Sequence, residues 1–205
     1  MMRCPNEEHM KGRESGMPPK EVWEGCFSPT GILEIMGLHH DVSDVAEFGC
    51  GYGTFTIPAA RMVRGTVHAI DIDAAVVAAT RQAADQQGVQ NVNTILRDFM
   101  AAGTGLEAES VDYTMLFNIL HVEHPQKLLQ EAWRILKPGG RVGIIHWNYD
   151  PATPRGPSME IRPKPQQCIE WAKAAGFANP ERHNLPPYHY GVILKTRSDS
   201  APKST

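Results

Sequence analysis

With 205 residues, of which 41% are hydrophobic and 21% charged, the chain is long enough for one domain with a real core and too short for two comfortable ones. Its formal net charge is -3 and no basic stripe runs along a predicted helix, which argues against nucleic acid or an anionic membrane as a partner. No apolar run approaches the roughly 20 residues of a membrane helix, and MMRCPNEEHMKGRESG lacks the apolar stretch of a secretory signal, so the expected location is the cytoplasm. Cys4, Cys26, Cys50 and Cys168 form no C-x-x-C pair, and His39-His40-Asp41 reads as a solvated turn, so neither a disulfide framework nor a metal site is expected.

Residues 1–16 are polar and expected to be loose, residues 17–197 form the domain, and the Ser/Lys-rich residues 198–205 are expected to be disordered. A short amphipathic piece carries Val22, Trp23 and Phe27. Pro29-Thr30 starts a helix with Ile32, Leu33, Ile35 and Met36, stopped by Gly37. Val45 to Phe48 is a strand that ends in glycines. Thr54 to Val63 is a helix, with Thr54 as its cap and Pro58 in its first turn. Thr66 to Ile70 is a second strand, and Asp73 caps an Ala-rich helix that ends near Gly88. Val92 to Leu96 is a third strand. Val111 to Phe117 is a fourth, apolar on both faces as a buried parallel strand should be. Gln126 to Leu136 is a helix stopped by Lys137-Pro138-Gly139-Gly140, and Arg141 to Trp147 is a fifth strand. Tyr149 to Pro165 is a Pro/Gly-rich loop, either ordered over the sheet or a lid. Gln166 to Ala175 is a last helix, and Phe177 to Lys195 holds two more strands. Such alternation implies right-handed crossovers and a doubly wound α/β sheet.

The most informative stretch is Glu47-Phe48-Gly49-Cys50-Gly51-Tyr52-Gly53, at the end of the first strand. Glycines at this spacing let the backbone turn tightly and approach a ligand with no Cβ in the way. The pattern is G-x-G-x-G rather than the G-x-G-x-x-G of dinucleotide phosphates. Glu47 would repel a pyrophosphate and attract an ammonium group. Asp71 closes the second strand eighteen positions after Gly53, where an acid can accept hydrogen bonds from a ribose diol. Asp98 closes the third; it could accept from an exocyclic amine, with Phe99 covering an adenine, or equally cap a helix or turn. Acids at three successive strand ends beside a glycine loop describe a ligand with an amine, a ribose and an adenine but no phosphate. S-adenosylmethionine has these parts.

On these residues the sequence resembles the class I S-adenosylmethionine-dependent methyltransferases, particularly small ones of the ubiquinone/menaquinone-biosynthesis type. The likeness runs from about Val45 to Trp147 and includes EFGCGYG, AIDID, RDF, VDYTMLFNILHVEHP and WRILKPGGRVGIIHW; upstream, SGMPPKEVWEGCFSP is similar to a segment that covers the cofactor in some members. The resemblance implies a seven-stranded, mostly parallel sheet of order 3-2-1-4-5-7-6 with the last strand antiparallel. It also implies that Glu47, Gly49, Gly51 and Gly53 hold the methionine end, with Phe48 and Cys50 between them. Asp71 and Ile72 would hold the ribose, Asp98 and Phe99 the adenine, and Asn118 would sit beside the glycine loop.

Methyl transfer needs the nucleophile in line with the S–CH3 bond at roughly 3 Å, and a base only when that nucleophile carries a proton of high pKa. His121, after the fourth strand, and His146, in the fifth, are the foremost base candidates because histidine titrates near neutrality. Glu123, His124, Tyr149, Tyr188, His189 and Tyr190 are further candidates, the last three reading better as packing. Residues 17–27 and 149–165 are candidate covers. The expected function is methyl transfer to a small-molecule acceptor by a monomer or homodimer. A non-catalytic cofactor-binding subunit stays open, and a nucleotide-dependent oxidoreductase is disfavoured by Glu47 and the missing glycine.

Overall fold

The computed structural model describes residues 29–197; the expectations for residues 1–28 and 198–205, including the cover at 17–27, lie outside the described residues. Seven strands form one sheet: β1 (Val45–Phe48), β2 (Val67–Asp71), β3 (Val92–Leu96), β4 (Val111–Phe117), β5 (Leu136–Trp147), β6 (Ala178–Leu185) and β7 (His189–Lys195). Their order is β3-β2-β1-β4-β5-β7-β6. The first five run parallel, while β7 is antiparallel to both β5 and β6. The helices are α1 (Pro29–Ile35), α2 (Thr56–Met62), α3 (Ala74–Gln86), α4 (Phe99–Ala102), α5 (Pro125–Ile135) and α6 (Pro165–Ala174).

Side chains alternate across a strand, so each central strand feeds two cores. On one face Ala46, Phe48, Leu116, Val142 and Ile144 pack with Leu128, Leu129 and Ala132 of α5 and Cys168 and Ile169 of α6. On the other Val45, Tyr113, Met115, Phe117 and Ile145 pack with Leu33 of α1 and Ala59 and Ala60 of α2. This alternation puts Glu47 on the same face as Val45, the face that α2 covers. A carboxyl group in that position is enclosed by the fold itself.

Three local features differ from the sequence reading. Helix α2 begins at Thr56, and the residue before it, Phe55, makes no side-chain cap. Thr54 is not a cap either: its Oγ1 is buried with no hydrogen-bond partner among the described residues. The helical ladder starts from the glycine loop instead, where the Gly53 carbonyl accepts the Ile57 N–H at 3.1 Å. Leu136 belongs to a strand rather than a helix, because it pairs with Val111 before the register shifts across the Lys137–Gly140 excursion. The structure also adds α4, a short helix at Phe99–Ala102 that is not among the expected elements, although Asp98 reads as a possible helix or turn cap.

Residues 149–165 are an ordered wall. The buried guanidinium of Arg162 donates to the carbonyls of Asn148, Asp150, Arg155 and Pro157 and to the Thr153 hydroxyl. One cation thus satisfies the Arg155 and Pro157 carbonyls and adds to the bonds that those of Asn148 and Asp150 accept within the loop. The loop backbone lies directly on Trp147, since a Cβ added at Gly156 would meet the indole at 2.8 Å.

Candidate active site

Open α/β sheets gather their functional groups where the parallel strands end at their carboxyl edge. At the end of β1 the chain turns through Gly49, Gly51 and Gly53 at φ of +78°, +51° and +80°. These are left-handed conformations that favour glycine over any other residue. The turn is pinned on two sides. Gly51 N–H donates to Asp71 Oδ2 at 3.1 Å, and Thr80 Oγ1 of α3 donates to the Gly51 carbonyl at 2.6 Å. The Cys50 thiol lies 3.8 Å from Thr80 Oγ1, and burial, helped by the carboxyls of Glu47 and Asp71, pushes it far up, which leaves it a neutral filler.

The two carboxyls beside this loop are each 3% exposed. Thr56 donates its hydroxyl to Glu47 Oε2 at 2.5 Å. Burial nevertheless outweighs that bond and, with Asp71 nearby, raises the Glu47 pKa from 4.5 to about 8. Asp71 also receives the Asp73 N–H on Oδ1 at 3.1 Å, and burial raises its pKa as well. The next residue, Ile72, is half-buried.

Asp98 sits just beyond β3, kept beside the end of β2 by the Arg97 N–H to Asp71 carbonyl bond of 2.8 Å. Its Oδ1 caps α4, accepting from Met100 N and Ala101 N at 3.0 Å each. Phe99 meets the buried Phe48 edge to face, with ring centroids 5.5 Å apart. Asn118, just past β4, has φ +54°, and both polar atoms of its side chain are buried without partners among the described residues. It adjoins the glycine turn, because the neighbouring Ile119 Cδ1 lies 3.1 Å from where a Cβ of residue 49 would stand.

His121 and His146 form a second cluster, Nδ1 of the former 3.3 Å from Nε2 of the latter. His146 is fully enclosed, and burial followed by His121, His189 and Arg162 holds its pKa far below the ordinary range. Burial lowers His121 to about 4. Tyr190 stacks on His146 at 6.4 Å and donates its hydroxyl to the Pro163 carbonyl. Trp147 packs against His189 and Tyr188. Glu123 and His124 are exposed, and Tyr149, 43% exposed, carries Lys164 over its ring. Among the described residues no group of three or more His, Cys, Asp or Glu could hold a metal ion.

Sequence reasoning missed Thr56, Thr80 and Arg162. Thr80 left a trace: it shares a helical face with Val77 and Ala84, a polar residue on the buried side of α3. Arg162 left none, because its partners are backbone carbonyls.

The sheet order, the antiparallel β7 and the glycine turn after β1 define a class I methyltransferase fold. Residues 45–140 match the family model described as "Methyltransferase domain". A ubiquinone/menaquinone biosynthesis C-methyltransferase of Bartonella tribocorum is 36% identical over 107 residues, 50% of this chain and 39% of that protein. An aklanonic acid methyltransferase of Streptomyces is 32% identical over 103 residues, 49% of this chain and 46% of that protein. A S-adenosylmethionine-dependent methyltransferase structure from Aquifex aeolicus superposes with a TM-score of 0.75 at 23% identity, covering 86% of this chain and 93% of that one. The chain spans less than half the length of the two curated relatives. Over residues 45–140 the chain is therefore similar to methyltransferase domains such as that of the ubiquinone/menaquinone C-methyltransferases, and it shares the fold of S-adenosylmethionine-dependent methyltransferases.

Proposed function

We propose that the chain transfers the methyl group of S-adenosylmethionine to a small-molecule acceptor at the carboxyl edge of β1, β2 and β4. The observation that carries this reading is the cluster of Glu47, Gly51 and Asp71: two buried carboxyls around a glycine turn pinned by hydrogen bonds. Buried carboxyls at this turn disfavour a phosphate, and a cationic amine can draw the proton off Glu47 and pair with the carboxylate. The residues fit the cofactor. The left-handed glycines leave a cradle with no Cβ, and the orphaned amide of Asn118 offers a donor and an acceptor beside it.

Glu47, Gly49, Gly51 and Gly53 hold the methionine end, with Phe48 and Cys50 lining the turn. Asp71 and Ile72 take the ribose; each Asp71 oxygen keeps a lone pair beyond the backbone N–H it already accepts. Asp98 and Phe99 take the adenine side. When bound, the cofactor's sulfonium supplies a methyl group that is already electrophilic. The protein's task is then to orient the acceptor and exclude water. The ordered loop held by Arg162 against Trp147 forms a fixed part of that enclosure. His121 and His146 lie beyond β4 and in β5, on the acceptor's side of the reaction. The reading extends to a cytoplasmic monomer or homodimer without nucleic-acid or membrane partners, supported by the net charge and by the lack, among the described residues, of a helix long and apolar enough to cross a membrane.

Titration calorimetry with S-adenosylmethionine tests the binding half, with NADH titrated alongside as the control for the dinucleotide reading. Release of S-adenosylhomocysteine across thiols, phenols, amines and carbon acceptors tests the transfer half. Heat with NADH and none with S-adenosylmethionine would overturn the proposal.

A further inference from the structure

The His121–His146 couple has a direction that the backbone imposes. His146 Nδ1 lies 3.0 Å from the Trp147 backbone nitrogen, which carries a hydrogen and can only donate. Nδ1 must therefore be the unprotonated nitrogen, because an N–H there would face another N–H. The single proton of the neutral ring is left on Nε2. That nitrogen faces His121 Nδ1 at 3.3 Å and donates to it. His121 Nδ1 is thereby an acceptor, and the proton of the neutral His121 ring belongs on Nε2. The reverse arrangement would return a proton to His146 Nδ1, against the Trp147 N–H. The doubly protonated His146 fails for the same reason.

The surroundings hold the couple in this state. His146 has no exposed surface, and the titratable groups facing it are His121, His189 and Tyr190, with Arg162 in the loop above. None of these is an anion at neutral pH. Arg162 keeps its charge in hydrogen bonds to carbonyls, and the Tyr190 hydroxyl is committed to the Pro163 carbonyl. A proton added to His146 would stand near the Arg162 charge with no carboxylate to balance it, and one added to His121 would be opposed by burial. His121 itself is only half-buried and follows β4 at the edge where the acceptor is placed.

We propose that His146 is a positioning residue that fixes His121 as an Nε2–H donor, so that His121 offers the methyl acceptor a hydrogen bond onto an oxygen, such as a carbonyl, enol or phenol oxygen, rather than a basic nitrogen. The guest's identity rests on the methyl-transfer reading; the tautomer does not. The acceptor class follows from the donor: an oxygen-bearing acceptor satisfies the N–H, whereas a simple thiol accepts it poorly.

The test uses the full chain, 15N-labelled, in long-range proton–nitrogen NMR spectra of the histidine rings from pH 5 to 8. His121 is assigned by the signals lost in His121→Gln. The expected result is His121 with Nε2 protonated and Nδ1 bare, in excess by about tenfold or more, the ratio that a bias of about 1.4 kcal/mol sets. In His146→Phe, which keeps a ring but removes the donor, both His121 tautomers should be populated. A His121 that carries its proton on Nδ1 in the unaltered protein, or is unchanged in His146→Phe, overturns the proposal. Should His146→Phe fail to fold, the ratio in the unaltered protein decides alone. S-adenosylhomocysteine release should favour acetylacetone over thiophenol, and the opposite preference also overturns it. Failure to bind S-adenosylmethionine would instead remove the methyl-transfer reading while leaving the tautomer as measured.

Discussion

Replacing Glu47 by glutamine should stabilise the ligand-free protein at alkaline pH while weakening it as a cofactor binder. The unfolded chain loses the Glu47 proton near 4.5, and the folded chain near 8. The folded state therefore holds that proton more tightly, and the advantage is full below the lower value. It is lost as pH climbs through the upper one. Between pH 5 and pH 8 the cost of ionising a fully enclosed carboxyl reaches about 4 kcal/mol, at 1.36 kcal/mol per pH unit. Glutamine is almost the same shape, keeps a carbonyl oxygen for the Thr56 hydroxyl, and never ionises. The difference in Tm between variant and wild type should hence be small at pH 5. It should grow to about 8 °C or more by pH 8, at 2–4 °C per kcal/mol for a chain of this size. Other groups, the depressed histidines included, titrate equally in both proteins and cancel in the difference. Thermal scans of both ligand-free proteins at half-unit pH steps give this curve. A difference that stays flat with pH would refute the buried, protonated Glu47. The same protonation means that binding the cofactor's cationic amine expels a proton, so wild-type affinity should rise from pH 6 to pH 8 and that of Glu47→Gln should not.

Asp71→Asn should cost at least about tenfold in S-adenosylmethionine affinity by calorimetry, because an NH2 would face either the Gly51 or the Asp73 N–H. Thr80→Val leaves the Gly51 carbonyl without its hydroxyl donor and should lower stability by about 1–3 kcal/mol in urea titrations. Arg162→Met takes from the Arg155 and Pro157 carbonyls their donor and weakens the hold on those of Asn148 and Asp150, and limited proteolysis should cut the 148–157 stretch many times faster than in wild type. Cutting at wild-type rates would show that the loop is held otherwise.

Much of the fold was legible in the chain because it is written in local patterns. Short apolar runs mark β1 to β5, proline and Asp73 mark helix starts, and glycine marks the turn after β1. The left-handed turn at residues 49–53 needs glycine whatever surrounds it, so the turn could be read directly. The strand order was available only through resemblance to known proteins, since no local residue states which strands are neighbours. Thr54 and Leu136 were misplaced for a related reason. A helix begins wherever a carbonyl is available to accept its first bond, and here Gly53 supplies one. Leu136 is a strand residue because Val111 lies opposite it.

What the sequence determined by itself was where bare backbone and acids come together at the strand ends. Steric freedom at glycine and the charge of an acid are properties of single residues. Tertiary structure decided how those residues behave. Enclosure under α2 keeps Glu47 protonated, the N–H of Trp147 sets which nitrogen of His146 is bare, and four carbonyls of its own folded loop converge on Arg162. Each of these depends on desolvation or on a partner brought from elsewhere in the chain, and such energies exist only after the chain has packed.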